Sequence, residues 1–132
     1  QFEQASRKSP ALLEQAARYF RKSIAESPAD YKDYEKLAIV YAHMGKPREA
    51  YDWYLKAARL YPGCERLWFE LGRLAEQMGQ PQTALGHYAN AVEIEDSYRG
   101  QFRVMYPHRQ VVSRLGEEEY RLARERIAAL RQ

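Results

Sequence analysis

A block of this sequence recurs at an offset of 34 residues, and that period constrains the chain more than any other feature. Met44-Gly45-Lys46-Pro47 returns as Met78-Gly79-Gln80-Pro81, and Ala50, Tyr54 and Ala57 return as Ala84, Tyr88 and Ala91. Upstream, Tyr34, Leu37 and Ala38 return as Trp68, Leu71 and Gly72. A fixed period of this length marks a solenoid of one supersecondary unit, in which each copy buries its apolar face against the next.

The unit is read from its periodicities. Tyr34, Leu37, Ala38 and Tyr41 fall three and four apart, as do Ala50, Tyr54, Ala57 and Ala58, so each set forms one stripe of a helix. Trp68, Leu71, Gly72 and Ala75 repeat the first stripe, and Ala84, Tyr88, Ala91 and Val92 repeat the second. A helix-interior proline costs about 3 kcal/mol, so Pro28, Pro47, Pro62, Pro81 and Pro107 delimit the helices. Gly45 and Gly79 can end one helix in the left-handed conformation, and Pro47 and Pro81 suit the first turn of the next. So short a turn makes the two helices antiparallel neighbours.

These residues resemble the tetratricopeptide repeat. Residues 31–64 match its pattern through Tyr34, Leu37, Ala38, Tyr41, Gly45, Ala50, Tyr54, Ala57 and Pro62. Residues 65–98 match through Trp68, Leu71, Gly72, Gly79, Ala84, Tyr88 and Ala91, and depart at Ala75, where the pattern has Tyr, and at Asp96, where it has Pro and where the second helix can instead run on into the next element. The resemblance implies an all-α fold, a right-handed superhelical stack of antiparallel helix pairs. The expected organisation is a single domain over 1–132: a partial repeat at 1–30, repeats at 31–64 and 65–98, and a degenerate repeat with a capping helix at 99–132.

At the start, Ala16, Phe20 and Pro28 stand one period before Ala50, Tyr54 and Pro62. Residues 10–27 therefore read as a second helix, with Ser9-Pro10 as its cap and first turn. Its Leu12, Leu13, Ala16 and Phe20 would form an exposed apolar face, a possible self-association surface. Towards the end, Phe102 and Met105 follow Trp68 and Leu71 by one period, so residues 98–106 suggest a shortened first helix stopped by Pro107. A last helix from about Glu117 to Arg131 carries the stripe Tyr120, Ala123, Ile127 and Leu130, which can cap the repeats. Its acids come first and its arginines later, as the helix dipole favours.

Composition narrows the function. Hydrophobic residues make up 45% and charged residues 30% of the 132 residues, the balance of a folded domain. The single cysteine, Cys64, excludes an internal disulfide. His43, His87 and His108 lack metal-ligand spacing, and no phosphate loop or nucleophile elbow occurs. The sequence therefore predicts no enzyme, no cofactor and no metal. The chain opens on Gln1, which reads as a piece of a longer protein, and its cellular location stays open. Residues 97–132 carry eight Lys+Arg against four Asp+Glu, whereas the rest carries thirteen against fourteen. Those four acids dilute the basic field, so nucleic acid is not expected, and membrane attachment is expected only through segments outside this chain.

The resemblance implies a concave groove lined by the first helix of each pair, which takes a peptide or helix of a partner protein. The candidate groove residues are Lys32, Glu35, Lys36, Ile39 and His43, then Arg66, Phe69, Glu70, Arg73 and Gln77. Phe69 reads as an exposed aromatic anchor between arginines, with packing against Gln101–Met105 or the capping segment as the other reading. Chaperone-tail binders of the family carry a Lys/Asn/Arg clamp for a terminal carboxylate. Glu35 and Ile39 stand in its place, so that ligand is not expected. The expected role is a non-catalytic interaction scaffold. A second resemblance concerns Tyr98 through Glu117, which is similar to soluble tails on bacterial envelope polymerases or ligases of surface polysaccharide, of the O-antigen type.

Overall fold

A computed structural model describes residues 9–132; residues 1–8 of the expected partial repeat lie outside the described part. It contains α1 (Pro10–Glu26), α2 (Tyr31–His43), α3 (Pro47–Leu60), α4 (Glu65–Gln77), α5 (Pro81–Met105) and α6 (Glu117–Leu130). The fold is all-α. The helices form two compact units, divided between Pro62 and Gly63.

In the first unit, α2 and α3 are the antiparallel pair that the short turn predicts. The turn is a Schellman motif: Gly45 N–H donates to Ala42 O at 3.0 Å and Lys46 N–H to Tyr41 O at 3.0 Å. Gly45 has φ 74°, a conformation costly for any residue with a Cβ. Asp30 starts α2, its Oδ1 accepting from Lys32 N–H at 3.0 Å. Ser9, expected to cap α1, makes no side-chain capping bond, and Pro10 alone opens that helix.

The apolar face of α1 is not left open. Leu13 and Ala17 are buried with Leu37 and Val40 of α2, and Ala16, Phe20 and Ile24 pack around them. Of the face expected to self-associate, only Leu12 remains exposed, and Tyr19 is exposed beside it. The α2 stripe supplies the missing cover, since burying apolar area is the dominant favourable term in folding. Two polar contacts fix the register: Ser23 Oγ donates to Asp33 at 2.7 Å, and Arg21 donates to the Tyr41 hydroxyl at 2.6 Å.

The second unit repeats the pair as α4 and α5. Gly79 N–H donates to Glu76 O and Gln80 N–H to Ala75 O, the same turn one period later. Leu67, Leu71, Leu74 and Ala75 of α4 are buried, as are Ala84, Tyr88 and Ala91 of α5. Gly72 stands where the first pair has Ala38. A Cβ there would meet Tyr88 Cδ1 and Cε1 at 2.8 Å, so the ring lies against bare backbone.

The separate short helix expected over 98–106 does not form. Instead α5 runs unbroken for 25 residues to Met105. Asp96, where the repeat pattern has proline, leaves the backbone hydrogen-bond ladder intact. The chain then reverses through residues 106–116 and α6 packs back on α5, burying Ala123 and Ile127 with Tyr120 and Leu130 half-buried.

Candidate functional site

The residues singled out on α2 share one helical face, at spacings of three and four. Lys32 and Lys36 are exposed, while Glu35, Ile39 and His43 are half-buried. The buried residues of that helix are Leu37, Ala38 and Val40, so the singled-out face takes no central part in the core. It offers one aliphatic side chain, Ile39, between charges of both signs.

On α4 the corresponding row divides. Arg66, Arg73 and Gln77 are exposed and Glu70 is half-buried, with Arg73 3.6 Å from the Glu70 carboxylate. Phe69 departs from expectation: it is 2% exposed and cannot act as a surface anchor. Its ring meets Tyr88 edge-on at 5.9 Å, and the Arg73 guanidinium lies 5.8 Å from its centroid. Leu122, Glu118 and Arg121 of α6 line the same cleft as Phe69 and Arg73. Of the two readings of Phe69, packing beneath the capping segment is the one that the structure shows.

The polar organisation of the second unit was not visible as a site in the sequence. Glu95, fully buried on α5, accepts from Arg99 Nε at 2.9 Å, Ser113 Oγ at 2.6 Å and Leu115 N–H at 3.1 Å. Arg99 also donates to Glu117 at 3.1 Å and stacks 4.0 Å from the Tyr120 centroid. Glu65, buried at the start of α4, receives both nitrogens of a fork from Arg114, at 3.1 and 3.2 Å. The two carboxyl groups interact and shift oppositely. Burial pushes Glu65 up, reinforced by Glu95 and resisted by Arg114. Burial also acts to raise Glu95, but bonds from Ser113, Glu65, Arg99 and Leu115 outweigh it and hold that carboxyl low. This cluster clamps the 106–116 connection onto α4 and α5. One sequence signal could have revealed it: Glu95 continues the buried stripe of Tyr88 and Ala91 at helical spacing.

A second clamp holds α6. Arg126 forks onto Glu76 of α4, with Nη2 at 2.5 Å and Nε at 3.0 Å, and the Tyr88 hydroxyl donates to the same carboxylate at 2.9 Å. The Arg126 bonds pull the Glu76 carboxyl down, opposed by desolvation and aided by Tyr88. Because the folded value is depressed, the stability from ionised Glu76 is present above the ordinary value of 4.5 and is lost as pH falls through the folded value. Glu76→Gln is therefore expected to flatten the fall of stability with acid below that range. Urea midpoints measured at stepped pH check this; an unchanged slope would refute the assignment.

Among the described residues, no group of three or more His, Cys, Asp or Glu could hold a metal ion. His87 lies against Trp68, with centroids 5.5 Å apart, and burial lowers its pKa. Cys64 is buried at the position preceding α4. No buried side-chain nitrogen or oxygen among the described residues lacks a hydrogen-bond partner. No described helix is long and apolar enough to cross a membrane.

The helix pairs, their glycine turns and their proline starts can now be set against known proteins. The tetratricopeptide repeat family model matches residues 32–74. Over those residues the chain is similar to a tetratricopeptide repeat. No curated protein matches it by sequence. Among solved structures, it is similar to the type III secretion translocator chaperone SycD of Yersinia enterocolitica, with TM-score 0.71 and 16% identity over 92% of this chain and 74% of that one. SycD in complex with a peptide of the translocator YopD matches at TM-score 0.68 and 16% identity, over 92% and 82% of the two chains. The Sgt2 TPR domain from Aspergillus fumigatus matches at TM-score 0.65 and 17% identity, over 98% and 78%. At these identities the likeness is one of fold alone.

Proposed function

We propose that this protein is a non-catalytic interaction module, and that it holds a peptide or helix of a partner protein against the α2 face. The observation that carries this reading is the α2 face. Lys32, Glu35, Lys36, Ile39 and His43 lie together on it, outside the buried stripe of the same helix. Two similar solved structures, SycD with a YopD peptide and PcrH with the chaperone binding region of PopD, are complexes of this fold with segments of partner proteins.

Binding energy in such modules concentrates in a few well-packed contacts, with charges setting register and orientation. With Phe69 in the core, Ile39 takes the anchoring role on α2 and Lys36 reads the partner's charge there; Arg73 offers a charge contact on the α4 row. Arg66, Glu70 and Gln77 complete the α4 row. The alternative of a tail on an envelope polysaccharide polymerase or ligase rests on the sequence of Tyr98 to Glu117 alone, and no contact in the fold adds to it.

The test is affinity capture from source-cell extract with wild type, Ile39→Asp, Lys36→Glu and Arg73→Glu, each first shown to be folded by circular dichroism. A partner retained by the wild type should be lost from Ile39→Asp and weakened about tenfold by each charge reversal, the effect of roughly 1.4 kcal/mol per contact. Equal recovery by all four proteins would remove the site from these helices.

A further inference from the structure

The last turn of α5 and the loop after it present apolar side chains that the fold does not use. Val104 is 82% exposed, Met105 68% and Val112 68%, and Tyr106 is also exposed. The loop that carries Val112 is held to α5 by the Tyr98 hydroxyl, which donates to Val112 O at 2.9 Å. The charge around these residues has one sign: residues 97–116 contain Arg99, Arg103, Arg109 and Arg114 and no Asp or Glu.

The four arginines divide by role. Arg99 and Arg114 are engaged by Glu95, Glu117 and Glu65 inside the clamp. Arg103 and Arg109 are exposed at the helix tip, and Arg109 stacks 5.4 Å from the Tyr106 centroid. The tip therefore places exposed Val, Met and Tyr between two outward cations.

We propose that this tip docks on an anionic lipid surface, with Val104, Met105 and Tyr106 entering the headgroup boundary and Arg103 and Arg109 meeting lipid phosphates. Charge complementarity favours lipid over a protein partner. Asp96 lies on the α5 face that leads to Val104 and Met105 and accepts from the Tyr120 hydroxyl; beyond it, arginines flanking aliphatic and aromatic side chains match a surface that is negative everywhere. The sequence analysis expected membrane attachment only through segments outside this chain. The exposure of Val104 and Met105, which helical periodicity did not reveal, changes that expectation.

The test is co-sedimentation of the chain with vesicles of phosphatidylcholine alone and of phosphatidylcholine mixed with phosphatidylglycerol. The wild type should bind the anionic vesicles and not the neutral ones, and rising salt should weaken the binding. Arg103→Glu/Arg109→Glu should lose at least 25-fold in partitioning, about fivefold for each arginine removed from the surface. Val104→Asp/Met105→Asp should lose binding comparably while keeping its helical circular dichroism. Arg18→Glu/Lys22→Glu on α1 makes the same change in net charge within the first unit and should retain most of the binding.

Four outcomes would overturn the proposal. One is absence of wild-type binding to anionic vesicles; another is equal loss in the α1 control. The third is unchanged binding by Val104→Asp/Met105→Asp. The last is a lipid-free wild-type dimer that Val104→Asp/Met105→Asp disperses, which would make the tip a protein interface instead.

Discussion

Glu95→Ala should destabilise the second unit by about 3–5 kcal/mol, the cost of leaving one side of a buried charge pair without its partner. The carboxylate is fully buried and gathers three donors from two parts of the chain: Arg99 from its own helix, and Ser113 and Leu115 from the returning loop. Alanine removes the acceptor of all three at once. Arg99 keeps Glu117, but Leu115 N–H has no second acceptor among these contacts, and a buried unsatisfied group costs about 1–3 kcal/mol by itself. Glu95→Gln keeps the shape and one acceptor oxygen, so it should fall between alanine and wild type. Urea unfolding read by Trp68 checks the order, because the other tryptophan, Trp53, lies in the first unit. Limited proteolysis should also cut Glu95→Ala within 106–116 before the wild type, since that connection loses its anchor. A loss below about 1 kcal/mol would mean that the cluster is not a clamp.

The helix pairs were legible because their signals are local. Proline, glycine and the three-four spacing act within a few residues, so α2 to α5 and the turns between them follow from the 34-residue period. The bounds of α6 follow equally well, Glu117–Leu130 against an expected Glu117–Arg131. What escaped was long-range. Glu95 pairs with Ser113 and Leu115, Glu65 with Arg114, and Glu76 with Arg126, contacts separated by 18 to 50 positions. No periodicity encodes such pairings. Where a local signal was missing, the chain followed the default of its helix: without a proline at position 96, α5 continued to Met105.

The covered face of α1 teaches the same lesson. Read alone, Leu13, Ala16 and Phe20 are a free apolar stripe. Read with Leu37 and Val40, they are one side of a core, and only Leu12 keeps the exposure that a lone helix would give to all of them.

Phe69→Ala is the second large effect expected, and it separates a core role from a binding role. On a surface the substitution would remove a contact with a partner and leave the fold intact. Beneath α6 it should cost about 3–5 kcal/mol, the loss of a buried aromatic plus the cavity left behind. Part of that cost is specific to the edge-on pair with Tyr88, which contributes about 0.5–1.5 kcal/mol beyond area burial. Tyr88 is itself fixed by its bond to Glu76 at 2.9 Å, so the ring cannot easily relax into the space. Phe69→Leu fills most of the volume and should recover more than half of the loss. Chemical denaturation of both variants measures the cost directly. If Phe69→Ala unfolds at the wild-type midpoint yet releases a captured partner, the ring is a binding anchor after all. If the midpoint drops and Phe69→Leu restores both stability and capture, Phe69 serves the α4 face only by holding it in place.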